Sequence, residues 1–212
     1  MTNVLILGAH GKIARLATQQ LLEKPVHLTL FLRDANRLKV TDKNKETIIE
    51  GDATSAADLD LAMQDIDVVY ANLSGHNIVE EAKAVVASMD RCGVKRLIWI
   101  STLGIYDEVP GEFGQWNHKM LDGGYLETYA TAAEVIEDSD LGYTIIRPAW
   151  LTDNDEIDYE VTHKGDPFKG TEVSRESIAA VVTDHVLNPD KDVRYSIGVN
   201  KPHTDGPKPS WY

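Results

Sequence analysis

The stretch Val4–Ala14, VLILGAHGKIA, constrains the fold of this chain more than any other. A run of strand-forming apolar residues stops at Gly8, a second glycine follows at position 11, and apolar residues then recur at helical spacing at Ile13, Ala17 and Leu21. A phosphate-binding turn needs backbone N–H groups pointing at the ligand and no side chain in the way. Gly8 suits the tight turn, Gly11 allows close approach of a pyrophosphate, and Ala14 lets the helix pack tightly on the strand. The spacing is Gly-x-x-Gly-x-x-Ala, which departs from Gly-x-Gly-x-x-Gly because His10 takes the middle position. Alone, the segment also fits an ordinary strand–turn–helix corner. Its position at the head of a repeated β-α pattern favours the nucleotide reading.

That pattern runs through most of the chain. Apolar runs at Val26–Leu32, Thr47–Glu50, Asp67–Leu73, Arg96–Ser101 and Tyr143–Pro148 read as strands. Lys24-Pro25 ends the first helix, an amphipathic helix at Asn77–Cys92 stops at Gly93, and another spans Thr128–Ser139. Strands and helices alternating at this length imply a parallel sheet covered on both faces, an α/β fold. After Pro148 the rhythm breaks into a polar, acidic segment expected to be loop with one or two short strands. A helix at Arg175–Leu187, a strand at Arg194–Val199 and a Pro/Gly-rich tail follow. No linker divides the chain, so residues 1–212 are read as one domain, with about 149–174 and 200–212 as substrate-side loops.

Charge and composition narrow the partners. A net charge of -13 over 212 residues argues against nucleic acid and anionic membranes, because both need a basic surface. No apolar run approaches the roughly 20 residues that span a bilayer. Cys92 is the only cysteine and no secretory leader is recognised, which suits a cytoplasmic protein. Seven histidines are scattered without ligand spacing, so no metal is expected.

The end of the second strand bears on which dinucleotide fits. An acidic residue there prefers a free ribose 2′-OH, whereas arginine suits a 2′-phosphate. Here Arg33 follows the apolar run directly, Asp34 lies one residue past the contact point, and Arg37 sits a helical turn further on. A guanidinium binds phosphate through paired hydrogen bonds. Arg33 therefore points to NADP(H) over NAD(H), while Arg37 fits a solvated surface arginine equally well.

With these pieces placed, the chain resembles the atypical short-chain dehydrogenase/reductase group, especially NmrA-like and biliverdin-IX-beta-reductase-like NAD(P)H-binding proteins. The resemblance rests on GAHGKIA, LRDANRL, GDATSAADL, NLSG, STLGIY, YTIIRPAWLTD and VSRESIAAVV, in that order. It implies a single-domain Rossmann-type, doubly wound parallel sheet with helices on both faces. It also implies that His10, Lys12 and Ile13 lie along the pyrophosphate, Asp52 and Ala53 touch adenine, and Leu73, Ser74 and Gly75 pass under the adenine-side ribose. Ser101 and Thr102 would face the nicotinamide, bordered by Pro148, Ala149 and Trp150. Asp52 also fits a plain Gly-Asp turn, Ser101 a strand cap and His10 a backbone-bonded turn.

The catalytic pattern of that group is incomplete here. Its members pair a serine with Tyr-x-x-x-Lys, whose lysine favours the phenolate of a tyrosine with an ordinary pKa near 10. The segment YLETYATAAEV puts Tyr125 at the tyrosine position and Tyr129 where lysine belongs. Alcohol oxidation, which wants a phenolate base, is thereby disfavoured. Reduction of quinones, flavins or linear tetrapyrroles demands less acid/base help. Ser101 and Tyr125 are the expected catalytic pair, and an NADPH-dependent reductase of a small acceptor is the leading expectation. The alternatives are an NADP(H)-sensing regulatory protein acting through a protein partner, and a sugar-nucleotide epimerase.

Overall fold

The computed structural model of the chain describes residues 1–121 and 123–212. The first strand, β1 (Thr2–Leu7), feeds helix α1 (Lys12–Leu22), and the alternation continues with β2 (Val26–Leu32), β3 (Glu46–Glu50) and α2 (Ala56–Ala62). Next come β4 (Val68–Ala71), α3 (Ile78–Cys92), β5 (Arg96–Ile100), α4 (Gly111–Leu121), α5 (Tyr125–Glu137) and β6 (Gly142–Pro148). The remainder is β7 (Trp150–Thr152), β8 (Glu160–His163), β9 (Glu172–Ser174), α6 (Arg175–Leu187) and β10 (Tyr195–Asn200).

Eight strands form one sheet in the order β3-β2-β1-β4-β5-β6-β10-β8. All its neighbours run parallel except β8, which lies antiparallel on β10. The chain reverses its direction of winding between β1 and β4, and open sheets of this kind bind ligands beyond the strand ends at that point. Leu7 pairs with Ala71, so the glycine turn after β1 and the Asn72–Gly75 turn after β4 stand side by side.

Strand alternation divides the core in two. In β1, Val4 and Ile6 face the layer that holds α1 and α6, while Leu5 and Leu7 face α2, α3 and α5. Ile98 and Leu97 of β5 split in the same way. Both faces are thus buried, and the strands read as continuous apolar runs for that reason.

Several boundaries differ from the sequence expectation. Helix α5 begins at Tyr125, not at Thr128, so Tyr125 stands on the helix itself. Helices α2 and α4 were not anticipated. The first is short and capped by Ser55, whose side chain accepts from Asp58 N–H; the second lacks an apolar period because its buried residues include Gly114 and Asn117. The acidic segment after β6 holds two short strands, β7 and β8, within the one or two expected, and β7 forms a separate parallel pair with β9 just beyond it.

Candidate functional site

Three adjoining cavities lie along the C-terminal ends of the strands. The first, about 230 Å³, is lined by Gly8, His10 and Gly11 from the first turn, by Phe31 to Asp34 and Arg37 after β2, and by Ala53, Asn72, Leu73, Ser74 and Glu81. A second, about 290 Å³, shares Gly11 and Asn72–Ser74 with it and adds Lys12, Ile13, Ser101, Tyr125, Tyr129 and Arg175. A third, about 240 Å³, shares Tyr125, Leu151 and Arg175 with the second and is closed by Thr102, Leu103, Leu121, Ala149 and Trp150.

Asn72 shapes the first turn. Gly8 has φ +72°, and a Cβ there would come within 2.4 Å of the Asn72 carbonyl oxygen. A Cβ on Gly11 would meet the Asn72 side-chain nitrogen at 2.0 Å. Gly11 N–H already donates to the Gly8 carbonyl at 2.9 Å, so Gly11 contributes shape and the donors come from its neighbours. The first N–H groups of α1 have no carbonyl partner within the helix, and Lys12 and Ile13 present them at the second cavity.

Around Arg33 the nearby carboxylates are already occupied. Asp34 accepts from Asn36 N–H, Glu50 accepts from Ala35 N–H, and Asp52 accepts from both the backbone N–H and the hydroxyl of Thr54. Those two bonds lower the Asp52 pKa below the ordinary carboxylate value. Glu81 is the exception. Its Oε2 is buried without a partner among the described residues, and desolvation raises its pKa against the opposing pull of Arg33. His10 is held below its ordinary value by desolvation first and then by Arg37 and Arg15, so it is a neutral imidazole at pH 7.

At the inner end the Ser101 hydroxyl is buried and unpartnered among the described residues. A hydroxyl left so costs about 1–3 kcal/mol, and it faces the cavity that Tyr125 also lines. Tyr125 and Tyr129 stack with ring centroids 4.5 Å apart, and the Tyr129 hydroxyl accepts from Gly75 N–H at 3.4 Å. Desolvation and the adjacent Tyr129 raise the Tyr125 phenol well above its ordinary value. It is a proton donor at neutral pH and not a phenolate base. The lysine position is thus filled by a second aromatic ring, with no ammonium group.

A buried ion pair sets the loop that follows β5. Glu108 accepts from Gly104 and Tyr106 N–H and pairs with the fully buried Arg147 of β6. Arg147 Cζ lies 5.1 Å from the Tyr106 ring centroid, and Arg147 Nε donates to Ser196 Oγ. On the outer wall, Trp150 Nε1 donates to Asn117 Oδ1, and its ring packs against Trp116 at 4.8 Å and Tyr212 at 5.5 Å.

Most residues expected at the site do converge. Gly8, His10, Gly11, Arg33, Arg37, Ala53, Leu73 and Ser74 line the first cavity, Lys12, Ile13, Ser101 and Tyr125 the second, and Thr102 the third. Asp52, Gly75 and Pro148 stand outside these linings. Asp52 closes its own turn, Gly75 bonds Tyr129, and the Pro148 carbonyl accepts from Leu103 N–H. Asn72, Glu81 and Arg175 were missed, although Asn72 stands next to the recognised Leu73-Ser74-Gly75. No group of three His, Cys, Asp or Glu side chains is placed to hold a metal among the described residues. Nor is any described helix long and apolar enough to cross a membrane.

The crevice fits a dinucleotide: a glycine turn held open at a helix N-terminus, arginines at one end, and unpartnered polar atoms along the wall. Comparisons with known proteins agree. A sequence profile described as NAD(P)H-binding matches residues 8–189. A Rossmann-fold NAD(P)-binding family protein from Shigella flexneri is 45% identical, with 99% of this chain and 98% of that one covered and a TM-score of 0.86. A short-chain dehydrogenase/reductase from Veillonella parvula, solved in complex with NADP, is 30% identical over 99% of both chains with a TM-score of 0.91. ChuY, an anaerobillin reductase from Escherichia coli O157:H7, shares the fold at 18% identity and a TM-score of 0.80, covering 97% of this chain and all of its own. No curated protein matches the sequence.

Proposed function

Because the chain belongs to the NAD(P)H-binding family of short-chain dehydrogenase/reductase-like Rossmann proteins, we propose that it is an NADPH-dependent reductase of a small conjugated acceptor. The observation that carries this reading is the placement of Tyr125. It lines both the cavity beside the helix α1 N-terminus and the apolar cavity beyond, with the buried Ser101 hydroxyl in the first.

Gly8, Gly11 and the α1 N-terminus hold the pyrophosphate, Ala53 and Leu73 flank the adenosine, and Arg33 with Arg37 takes the 2′-phosphate. The Veillonella relative, 30% identical and bound to NADP, supports that choice. The bound cofactor supplies a hydride, two electrons and one proton, to the acceptor. Tyr125 donates the second proton from its neutral phenol and is reprotonated from solvent, and Ser101 donates a hydrogen bond to the acceptor oxygen. Trp150, Leu103 and Leu151 exclude water from the acceptor face. Tyr129, which brings no ammonium group to the lysine position, makes this arrangement serve reduction better than oxidation.

Titration of NADPH and NADH by fluorescence, followed by NADPH oxidation over a panel of quinones, flavins and tetrapyrroles, tests the proposal. Tight NADPH binding with turnover of at least one acceptor class is the expected result. Binding with no turnover on any acceptor favours the second reading, an NADP(H) sensor acting through a protein partner, which the stacked Tyr129 in the lysine position supports. Failure to bind either nucleotide sinks both.

A further inference from the structure

The charge around the inner cavities departs from that of the molecule as a whole. The chain carries 34 acidic side chains against 21 basic ones. Among the described residues, neither the cavity beside Ser101 nor the one beside Trp150 has a carboxylate in its lining. Both contain Arg175, and the first also contains Lys12. Lys12 lies at the start of α1, where the cofactor pyrophosphate accounts for it. Arg175 stands deeper, between the two cavities, and its other side borders an outer cavity of about 510 Å³ that it shares with Lys12, Arg15, Asp153, Asp155 and Glu176; no part of the dinucleotide reading uses it.

Its present partner is replaceable. The Arg175 guanidinium bonds Asp153 Oδ1 at 2.7 Å, and the other oxygen of Asp153 takes Lys12 Nζ at 2.8 Å. One carboxylate thus serves two cations, so neither cation has a carboxylate to itself. The Asp153 side chain is 63% exposed while that of Arg175 is 23% exposed, so the acid sits at the rim and the base further in. Exposed ion pairs contribute little to stability, and exchange of Asp153 for another carboxylate costs correspondingly little. Guanidinium geometry favours a two-pronged bond to such a group. Apart from Thr102 and Tyr125, the rest of the lining of the cavity beside Trp150 is apolar: Leu103, Leu121, Ala149, Trp150 and Leu151.

We propose that the acceptor is an anion, a flat conjugated body bearing a carboxylate, and that Arg175 binds this carboxylate in place of Asp153. The flat body then lies against Trp150 and Leu103 with its reducible atom toward Tyr125. This inference rests on the reductase reading of the same site and adds the substrate class and the residue that selects it.

The test uses a naphthoquinone carrying a propionate side chain and its methyl ester, whose rings are matched in reactivity. At saturating NADPH, the wild-type protein prefers the acid, and Arg175→Gln lowers the acid-to-ester ratio of kcat/KM by about tenfold or more. Asp153→Asn, which removes the competing carboxylate, lowers KM for the acid. NADPH affinity is unchanged in Arg175→Gln. An equal loss for acid and ester, or a loss confined to NADPH affinity, overturns the proposal and makes Arg175 a structural or cofactor residue. If NADPH binds but neither quinone is reduced, the reductase reading fails by itself. Quenching of tryptophan fluorescence by the acid in the NADP complex then decides the anion site: Arg175-dependent quenching sustains it, and none removes it.

Discussion

Of the acidic groups around Arg33, Asp34 is engaged with Asn36, Glu50 with Ala35 and Asp52 with Thr54, while Glu81 shares the first cavity with the guanidinium. Hydrogen bonds between charged groups contribute about 1.5–3 kcal/mol, so Arg33→Ala should weaken NADPH by roughly 10- to 100-fold and NADH by only about twofold. Fluorescence titration of both nucleotides checks this; equal losses would mean that Arg33 does not read the 2′-phosphate. Tyr125 makes a second prediction at this scale. Its pKa lies well above the ordinary value, raised by desolvation and by Tyr129, so the acid form is complete from neutral pH through about pH 9. The kcat for quinone reduction should show no alkaline fall from this group in that range. Tyr125→Phe should lower kcat about tenfold or more while leaving NADPH affinity unchanged. Arg33 and Tyr125 were legible in the sequence because each follows a recognisable local pattern. The place of Arg175 was not, since the pairing of β9 with β7 is what brings the first residue of α6 between the two cavities.

At the scale of elements, the turn after β1 and the turn after β4 form one unit joined through Asn72. The two glycines differ in what a methyl group would meet. On Gly11 its one severe clash is with the end of the Asn72 side chain, the Gly8 carbonyl oxygen standing off at 3.3 Å, whereas on Gly8 it meets the Asn72 backbone oxygen with φ at +72°. Gly11→Ala should therefore lose stability and NADPH affinity, and adding Asn72→Ala should restore much of both. Gly8→Ala should not be rescued by the same second change. Thermal unfolding and NADPH titration of the four variants decide it, and rescue of both glycines would show that backbone approach is not the constraint. The loop after β5 depends on Glu108 and Arg147 in a comparable way. Arg147→Met leaves Glu108 buried without its cation and should cost about 3–5 kcal/mol in denaturant unfolding. Elements with long apolar runs, such as β2 and α6, could be placed from the sequence to the residue. Helix α4 could not, because GEFGQWNHKML buries a glycine and an asparagine on its inner face and shows no apolar period. The pairing of β7 with β9 was equally hidden, since the contact joins segments about twenty residues apart through strands of only three residues.

For the whole molecule, cofactor binding and folding are linked. A ligand that binds only the folded form at about 100 times its Kd adds roughly 2.7 kcal/mol, which in a chain of this length shifts Tm upward by roughly 5–11 °C. NADPH should give such a shift, and NADH a smaller one at equal concentration; a thermal scan with each nucleotide measures both. The parallel sheet covered on both faces was readable from the alternation of strands and helices, and its doubly wound topology from the family resemblance. The strand order at the far edge was not, because β10 lies between β6 and β8 although it is the last strand in the chain. That placement has a consequence for the order in which the molecule is made. Strands β1 to β4 and their turns precede the other elements in the sequence and carry the lining of the first cavity except Glu81. Strand β8 has only β10 to pair with in the sheet, and Lys201 N–H and Thr204 just after β10 tie down Glu172 and Thr171 beside β9. The wall of the third cavity around Ala149 and Trp150, whose N–H groups donate to Val199 and Thr171, therefore waits for β10 to be synthesised, and a nascent chain closes most of the first cavity before it can close the third.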